Sequence, residues 1–121
     1  MKCFQIERDS GLWYSVEYSS FSLGPEADKY RLSISGFSGD VGDAMAAHPV
    51  LWRNVNGMPF TTPDQDNDLR PIGICFDGLS GWWFRRCARA ALNLDTNGMW
   101  NAVNDVPITD VVFSRMMLKL D

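Results

Sequence analysis

Residues 18–45 read YSSFSLGPEADKYRLSISGFSGDVGDAM, and the fold class is predicted mainly from them. Apolar and polar residues alternate on both sides of a short segment that is rich in Gly, Pro and Glu. Such alternation is typical of half-buried β-strands, and Gly-Pro chemistry is typical of turns. Residues 12–18 and 30–35 are therefore predicted strands, and residues 22–26 are the predicted turn between them. Together they predict an antiparallel sheet.

The remaining predicted elements are shorter and less regular. Residues 43–48 and 85–92 each predict one short helix, and the first must end before Pro49 because proline cannot continue a helix. Residues 111–120 have the β-branched and apolar content of a closing strand. Between residues 54 and 81 the chain consists mostly of turn-forming residues. So long an irregular stretch is typical of a functional or ligand-stabilised loop.

Composition and charge limit the classes of function. The chain has 121 residues, of which 45% are hydrophobic and 21% charged, and this predicts one globular domain with one core. A formal net charge of −4 without a block of Lys and Arg disfavours nucleic acid and membrane surfaces as partners. No apolar run approaches the roughly 20 residues that span a bilayer. The first residues turn polar too soon for a signal-peptide core.

Two of the cysteines lie close together inside the most aromatic part of the chain. Pairing of Cys75 with Cys87 in an oxidising compartment is the natural interpretation, and it would stabilise the fold by roughly 3 kcal/mol in the chain-entropy model. The alternative is a pair of buried free thiols in a cytosolic protein. A metal site is a weaker prediction, because there is no second cysteine pair and His48 is the only histidine. Cys3 stands alone.

Three carboxylates occupy alternate positions in residues 64–68, which read DQDND. Acidic side chains at this spacing in a loop can surround a hard cation with oxygen ligands, and calcium is the obvious candidate. The segment is not an EF-hand, because Leu69 occupies the position that requires glycine there. A solvated turn rich in Asp and Asn is the other interpretation. The residues alone leave both open.

Residues 81–87, GWWFRRC, place three aromatic residues shortly before a cysteine. We expect Trp82 and Trp83 to pack against the sheet and the disulfide. Backbone N–H groups around Cys87 could form a small pocket for a neutral polar ligand. The sequence contains no nucleophile elbow and no Gly-rich phosphate loop, and His48 has no partner motif. We therefore expect no enzymatic activity.

Four stretches, taken in order, resemble motifs of the fibrinogen C-terminal domain family, which includes ficolins, tachylectins and angiopoietin-like proteins. They read YSSF with GPEADKYRL (residues 18–32), SGFSGDVGDAM (35–45), NGMPFTTPDQDND (56–68) and the cysteine-bounded hairpin containing GWW (75–87). The resemblance implies an α+β domain with an antiparallel sheet, short helices and a long calcium-binding loop region.

The same resemblance implies how the domain is divided. Residues 1–121 would form a single partial domain, because the family's amino-terminal subdomain has no counterpart here. Its central sheet subdomain would span about residues 10–60, and its calcium and ligand subdomain about residues 61–121.

A calcium site in a secreted domain also follows from the resemblance. Asp66 and Asp68 would supply the side-chain ligands, and backbone carbonyls near Arg70 and Ile72 or Gly73 would complete the shell. The cofactor would be calcium.

Ligand recognition is implied at the hairpin. Cys75 and Cys87 would form its disulfide, and a cis peptide bond between Arg86 and Cys87 would turn backbone N–H groups toward the ligand. Ala88 stands where the family usually has histidine, and Trp100 is the remaining aromatic wall. These four ligand-site residues are Arg86, Cys87, Ala88 and Trp100.

Two functions compete on this basis. The first is a secreted, calcium-dependent, lectin-like module that binds acetylated or other glycans of pathogen surfaces. The alternative is a protein-interaction domain of fibrinogen or angiopoietin type that binds a receptor or a peptide. The resemblance also admits homo-oligomerisation of the full-length protein.

Overall fold

The computed structural model describes the chain over residues 2–47, 49–70, 75, 81–94, 98–102 and 107–119. In these ranges the strands are β1 (Lys2–Arg8), β2 (Trp13–Leu23), β3 (Leu32–Gly39), β4 (Ala90–Ala91), β5 (Gly98–Trp100) and β6 (Ile108–Leu118). They form one antiparallel sheet in the spatial order β3-β2-β1-β6-β5-β4. The helices of the same ranges are two 3₁₀ helices, Glu26–Asp28 and Leu51–Arg53.

The amino-terminal strand β1 lies at the centre of the sheet. It pairs with β2 on one side and with β6 on the other. Alternation in β1 sends Phe4 and Ile6 into the core, where they are 0% and 3% exposed. Val16 and Trp100 belong to the same core. One face of the central strands is therefore packed and the other is open, as is common in antiparallel sheets.

The predicted hairpin is confirmed, with longer strands than the alternation indicated. β2 continues to Leu23, and β3 begins at Leu32, two residues later than expected. Strand β3 begins later because the backbone before it is not extended: Lys29 and Tyr30 both have a φ of 55°. This left-handed region cannot continue a strand. The predicted closing strand is also present, as β6.

One glycine of β3 is required by close packing of the strands. Gly36 has a φ of 73°. A Cβ atom at this position would lie 1.7 Å from the Oγ of Ser19 in β2. Any other residue would therefore have to displace the side chain of Ser19, in addition to adopting an unfavourable backbone conformation.

A loop, rather than another strand, borders the outer edge of β3. The side-chain amide of Asn56 accepts the N–H of Ile34 at 2.9 Å and donates to its carbonyl at 3.1 Å. Leu32 donates its N–H to the carbonyl of Met58 at 3.0 Å and accepts the N–H of Gly57 at 2.9 Å. These bonds occupy backbone groups that an exposed edge strand would leave free to pair with another chain.

The first predicted short helix, at residues 43–48, is wrong for the residues described. The carboxylate of Asp43 accepts the N–H groups of Met45 and Ala46 at 2.9 and 3.0 Å. This is the hydrogen bonding of a helix amino terminus. The chain makes only bends after it, over residues 44–46. Pro49 follows too closely for a helix to continue.

The second predicted helix, at residues 85–92, is also wrong. Ala90 and Ala91 form β4 and pair with Trp100 and Met99 of β5. Pairing with β5 has overridden the helix propensity of alanine. The described part of the chain is therefore mostly antiparallel sheet with 3₁₀ helices, and no helix in it has the length and apolar character required to cross a membrane.

Candidate functional site

A disulfide joins the two cysteines that lie close together in the sequence. The Cys75–Cys87 bond has an S–S distance of 2.01 Å and a Cα–Cα distance of 5.6 Å. Cys75 is 1% exposed and Cys87 is half-buried. The peptide bond between Arg86 and Cys87 is cis. Cys3, on β1, is free. The pairing and the cis bond are those that the family resemblance implied.

Residues 81–88, called the hairpin segment below, are docked on the core through two tryptophans. Trp82 and Thr61 exchange backbone hydrogen bonds of 2.8 and 3.1 Å. Trp82 is 0% exposed and Trp83 is 5% exposed. The Trp83 ring meets that of Phe60 at 5.2 Å and its indole N–H donates to the carbonyl of Tyr30 at 3.1 Å. Both tryptophans are therefore core residues, as predicted.

Arg85 anchors the hairpin segment to distant backbone. Its Nε donates to the carbonyl of Asn54 at 2.8 Å, and its Nη2 donates to that of Asn56 at 2.7 Å. Its own carbonyl accepts the N–H of Leu69 at 2.6 Å. A guanidinium can hold two carbonyls at once because its donors have a fixed fork geometry. Sequence reasoning missed this residue, since no local motif indicates carbonyl acceptors some thirty positions away.

Residues 64–70, called the acidic loop below, are organised by their own carboxylates. Asp68 accepts the N–H of Cys75 at 2.7 Å and that of Arg70 at 2.9 Å. Asp66 accepts the N–H of Asp68 at 3.1 Å. Asp64 accepts the hydroxyl proton of Thr62 at 2.7 Å. These bonds tie the acidic loop to the start of the disulfide-bonded hairpin.

The carboxylates of the acidic loop have different electrostatic surroundings. Burial raises the pKa of Asp68, and the neighbouring negative charge of Asp66 raises it further. The Thr62 hydroxyl lowers the pKa of Asp64. The carboxylates of Asp66 and Asp68 are thus two negative charges held close together, one of them partly desolvated. A divalent cation bound between them would relieve their repulsion.

The predicted calcium ligands are brought together only in part. Asp66 and Asp68 are adjacent, and in the described ranges no third His, Cys, Asp or Glu joins them in a metal-binding group. Arg70 lies at the end of the acidic loop, while Ile72 and Gly73 fall outside the described residues. Two carboxylates with additional carbonyl oxygens suit the chemistry of calcium. The calcium site stays a prediction.

The assignment of Trp100 as a wall of a ligand pocket is wrong. Its ring is 1% exposed and lies 6.1 Å from that of Phe4. The indole N–H donates to the carbonyl of Gly42 at 2.8 Å. Both the ring and its polar atom are therefore used within the core. Two other residues assigned to the ligand site are more accessible than Trp100. Arg86 is exposed and Ala88 is half-buried, both in the hairpin segment.

The acidic loop and the hairpin segment together present one mixed surface, called the candidate surface below. Leu69 is 56% exposed, and its N–H is bonded to the hairpin segment. The same two segments carry four charged and exposed side chains: Asp64, Asp66, Arg70 and Arg86. Protein-binding surfaces commonly combine exposed apolar side chains with charged ones.

Comparison with known families gives one match that covers nearly the whole chain. Residues 3–113 match the model of the C-terminal globular domain of fibrinogen beta and gamma chains. Angiopoietin-related protein 6 of Mus musculus is 39% identical over 85 residues, which are 70% of this chain and 16% of that protein. The fibrinogen gamma chain of Homo sapiens is 36% identical over 97 residues, or 74% of this chain and 21% of that protein. The chain thus spans about a fifth of these relatives.

Solved structures agree with the sequence comparison. The fibrinogen-like globe domain of human ANGPTL2 superposes with a TM-score of 0.62 at 36% identity, covering 76% of this chain and 39% of that one. Lamprey fibrin D-dimer, complexed with the peptide Gly-His-Arg-Pro-amide, superposes with a TM-score of 0.65 at 28% identity, covering 87% of this chain and 35% of that one.

Proposed function

Because the chain belongs to the family of C-terminal globular domains of fibrinogen beta and gamma chains, we propose that it is a non-enzymatic protein-interaction module. It acts outside the cell and binds a receptor or a peptide segment through the candidate surface. The related lamprey fibrin was solved with a peptide ligand, and this favours a peptide or protein partner over a glycan.

The observation that carries the proposal is the coupling of the two halves of the candidate surface. The Leu69 N–H donates to the Arg85 carbonyl at 2.6 Å, and the Cys75–Cys87 bond closes the same unit. Exposed side chains on both halves are therefore held in a fixed relation before any ligand arrives. Preorganisation of this kind lowers the entropic cost of binding.

The acidic part of the candidate surface suits a cationic group with an apolar neighbour. Asp64, which is not among the proposed calcium ligands, offers an exposed carboxylate in the same loop as the exposed side chain of Leu69. A peptide with a free amino terminus or a basic side chain would place its charge on the acidic loop. An apolar residue next to that charge would cover Leu69.

The proposed role of calcium is to stabilise the acidic loop. Asp66 and Asp68, with carbonyls that include that of Arg70, would hold the ion. When bound, calcium supplies positive charge that relieves the repulsion between the two carboxylates. Because Asp68 also bonds the N–H of Cys75, fixing the acidic loop would fix the start of the hairpin.

Glycan recognition is the weaker candidate on physical grounds. The expected glycan pocket relied on Trp100 as its aromatic wall. Trp100 is 1% exposed and packs in the core. Without that ring, the hairpin segment has no described aromatic surface on which a sugar could stack.

Calorimetric titration tests the proposal. Gly-His-Arg-Pro-amide and N-acetylglucosamine are each titrated into the chain with saturating calcium. We expect binding of the peptide, weakened about tenfold or more by Leu69→Asp because an apolar contact is lost. Leu51→Asp is the matched control, since Leu51 is equally apolar and 68% exposed but lies elsewhere. Binding of the sugar alone, or peptide binding unaffected by Leu69→Asp, contradicts the proposal.

A further inference from the structure

The face of the sheet opposite the core carries a second surface, which we call the outer face. Its position follows from the register of the central strands, because each residue next to Phe4 or Ile6 along β1 points away from the core. The outer face consists of three rows across β2, β1 and β6: Trp13, Glu7 and Phe113; Ser15, Gln5 and Arg115; Glu17, Cys3 and Met117.

Large apolar side chains stand on the outer face, although it is the solvated side of the sheet. Trp13 is 46% exposed, Phe113 is 51% exposed and Met117 is 39% exposed. The rings of Trp13 and Phe113 meet edge to face with their centroids 5.6 Å apart. Exposed apolar groups that are clustered, rather than scattered singly, mark interaction surfaces.

The cation of the outer face is held in place by its neighbours. The guanidinium of Arg115 lies over the Trp13 ring, 5.6 Å from its centroid. Its Nε donates to the side-chain carbonyl of Gln5, whose amide in turn donates to the hydroxyl of Ser15 at 3.2 Å. Aromatic residues, Met and Arg are the types enriched in protein interfaces. Arg115 is thus positioned without help from a carboxylate.

The outer face also carries two carboxylates. Glu7 lies between Trp13 and Phe113 in the first row, and Glu17 lies beside Cys3 in the third. Neither Glu7 nor Glu17 forms an ion pair with any described residue of the chain. Burying this face against an apolar or acidic partner would leave two carboxylates without compensation, which is costly. Charge complementarity favours a partner with basic side chains opposite Glu7 and Glu17, because the guanidinium of Arg115 is already engaged by Trp13 and Gln5.

We propose that the outer face docks a protein segment that carries basic side chains interleaved with apolar ones. The apolar side chains cover Trp13, Phe113 and Met117, and the basic ones meet Glu7 and Glu17. This surface lies on β1, β2 and β6, and it shares no residue with the candidate surface. The inference therefore does not depend on the proposed function.

Titration of the isotopically labelled chain, followed by two-dimensional NMR, tests the inference. The probes are acetyl-Leu-Arg-Leu-Arg-Leu-amide and its acidic counterpart acetyl-Leu-Glu-Leu-Glu-Leu-amide. We expect the basic peptide to shift the Trp13 indole N–H and the β6 amides near Phe113, and the acidic peptide to leave them unchanged. The affinity falls with added salt because the attraction is partly ionic.

Substitutions locate the effect. Glu7→Gln and Glu17→Gln should each weaken binding of the basic peptide about threefold, consistent with one partly exposed ion pair. Glu26→Gln, on the exposed first 3₁₀ helix, is the matched control and should have no effect. Trp13→Ser should abolish binding, with preserved peak dispersion showing that the fold is intact.

Three outcomes would overturn the inference. Equal binding of both peptides would mean that the carboxylates do not select the partner. Shifts confined to the acidic loop and hairpin segment would place basic peptides elsewhere. Self-association of the chain that Trp13→Ser abolishes, with no peptide binding, would make a second copy the occupant.

Discussion

The guanidinium of Arg85 donates a hydrogen bond of 2.8 Å to the carbonyl of Asn54. One side chain thereby connects the hairpin segment to the loop that borders β3, because Asn56 in that loop pairs with both backbone groups of Ile34. The position of the candidate surface relative to the sheet is set through this connection.

Arg85→Lys should destabilise the fold and weaken peptide binding. Lysine carries the charge but cannot reach the carbonyls of Asn54 and Asn56 in fixed geometry. Loss of one charged hydrogen bond to a buried acceptor costs about 1–3 kcal/mol, and thermal denaturation measures it. Arg53→Lys is the control and should change stability by less than about 0.5 kcal/mol. Equal melting temperatures for Arg85→Lys and Arg53→Lys would show that Arg85 does not anchor the hairpin segment.

Replacing both hairpin cysteines with serine should lower stability more than any change at Cys3. The bond closes a loop with a sequence separation of 12, and the chain-entropy model assigns roughly 3 kcal/mol to a loop of that size. Denaturant titration of the Cys75→Ser/Cys87→Ser protein gives the loss. Cys3→Ser, which removes the free thiol, should have almost no effect. An equal loss of stability in the Cys75→Ser/Cys87→Ser and Cys3→Ser proteins would contradict a specific role of the disulfide.

Stability should fall at high pH because of Tyr18. Its hydroxyl donates to Asp43 at 2.6 Å in the core, and burial together with the Asp43 charge raises the pKa of Tyr18 well above its usual range. The unfolded chain therefore releases this proton first, near pH 10. The contribution is present below about pH 10 and is lost at about 1.4 kcal/mol per pH unit above it.

Tyr18→Phe separates this effect from general alkaline denaturation. The variant should be less stable near pH 7, because Asp43 loses a donor, but should lose stability less steeply above pH 10. Denaturant titrations at several pH values measure both slopes. Parallel slopes for the two proteins would contradict the assignment.

Calcium should stabilise the wild-type chain and not the Asp66→Asn protein. A ligand that binds only the native state raises the free energy of unfolding by about 2.7 kcal/mol when its free concentration is 100 times its Kd. Differential scanning calorimetry with and without a chelator measures this stabilisation. Asp64→Asn is the control, because Asp64 is not among the proposed ligands. An unchanged melting temperature of the wild type on chelation would reduce the acidic loop to a polar turn.

Much of the sheet could be predicted from sequence because its signals are local. Alternation and turn residues predict β2, β3 and β6, and the strand limits move only where Lys29 and Tyr30 adopt left-handed backbone. The two helix predictions failed because local propensity competed with distant partners. Ala90 and Ala91 pair with β5, which no window of neighbouring residues reveals.

The residues of the candidate site that belong to a local motif could be predicted from the sequence. The residues that hold those motifs in place could not. The close cysteines and the run of aromatics lead to the hairpin, while the role of Arg85 depends on carbonyls of another loop. Trp100 shows the opposite error. An aromatic residue near a predicted pocket can equally fill the core, and only its contact with Phe4 distinguishes the two.

Our principal proposal is that the acidic loop and the hairpin segment bind a peptide as one surface. Amide NMR spectra of the calcium-loaded chain, titrated with Gly-His-Arg-Pro-amide, test it directly. We expect the amides of Leu69, Arg86 and Ala88 to shift together, with one common Kd. Shifts on only one of the two segments, or shifts confined to the outer face, would contradict it.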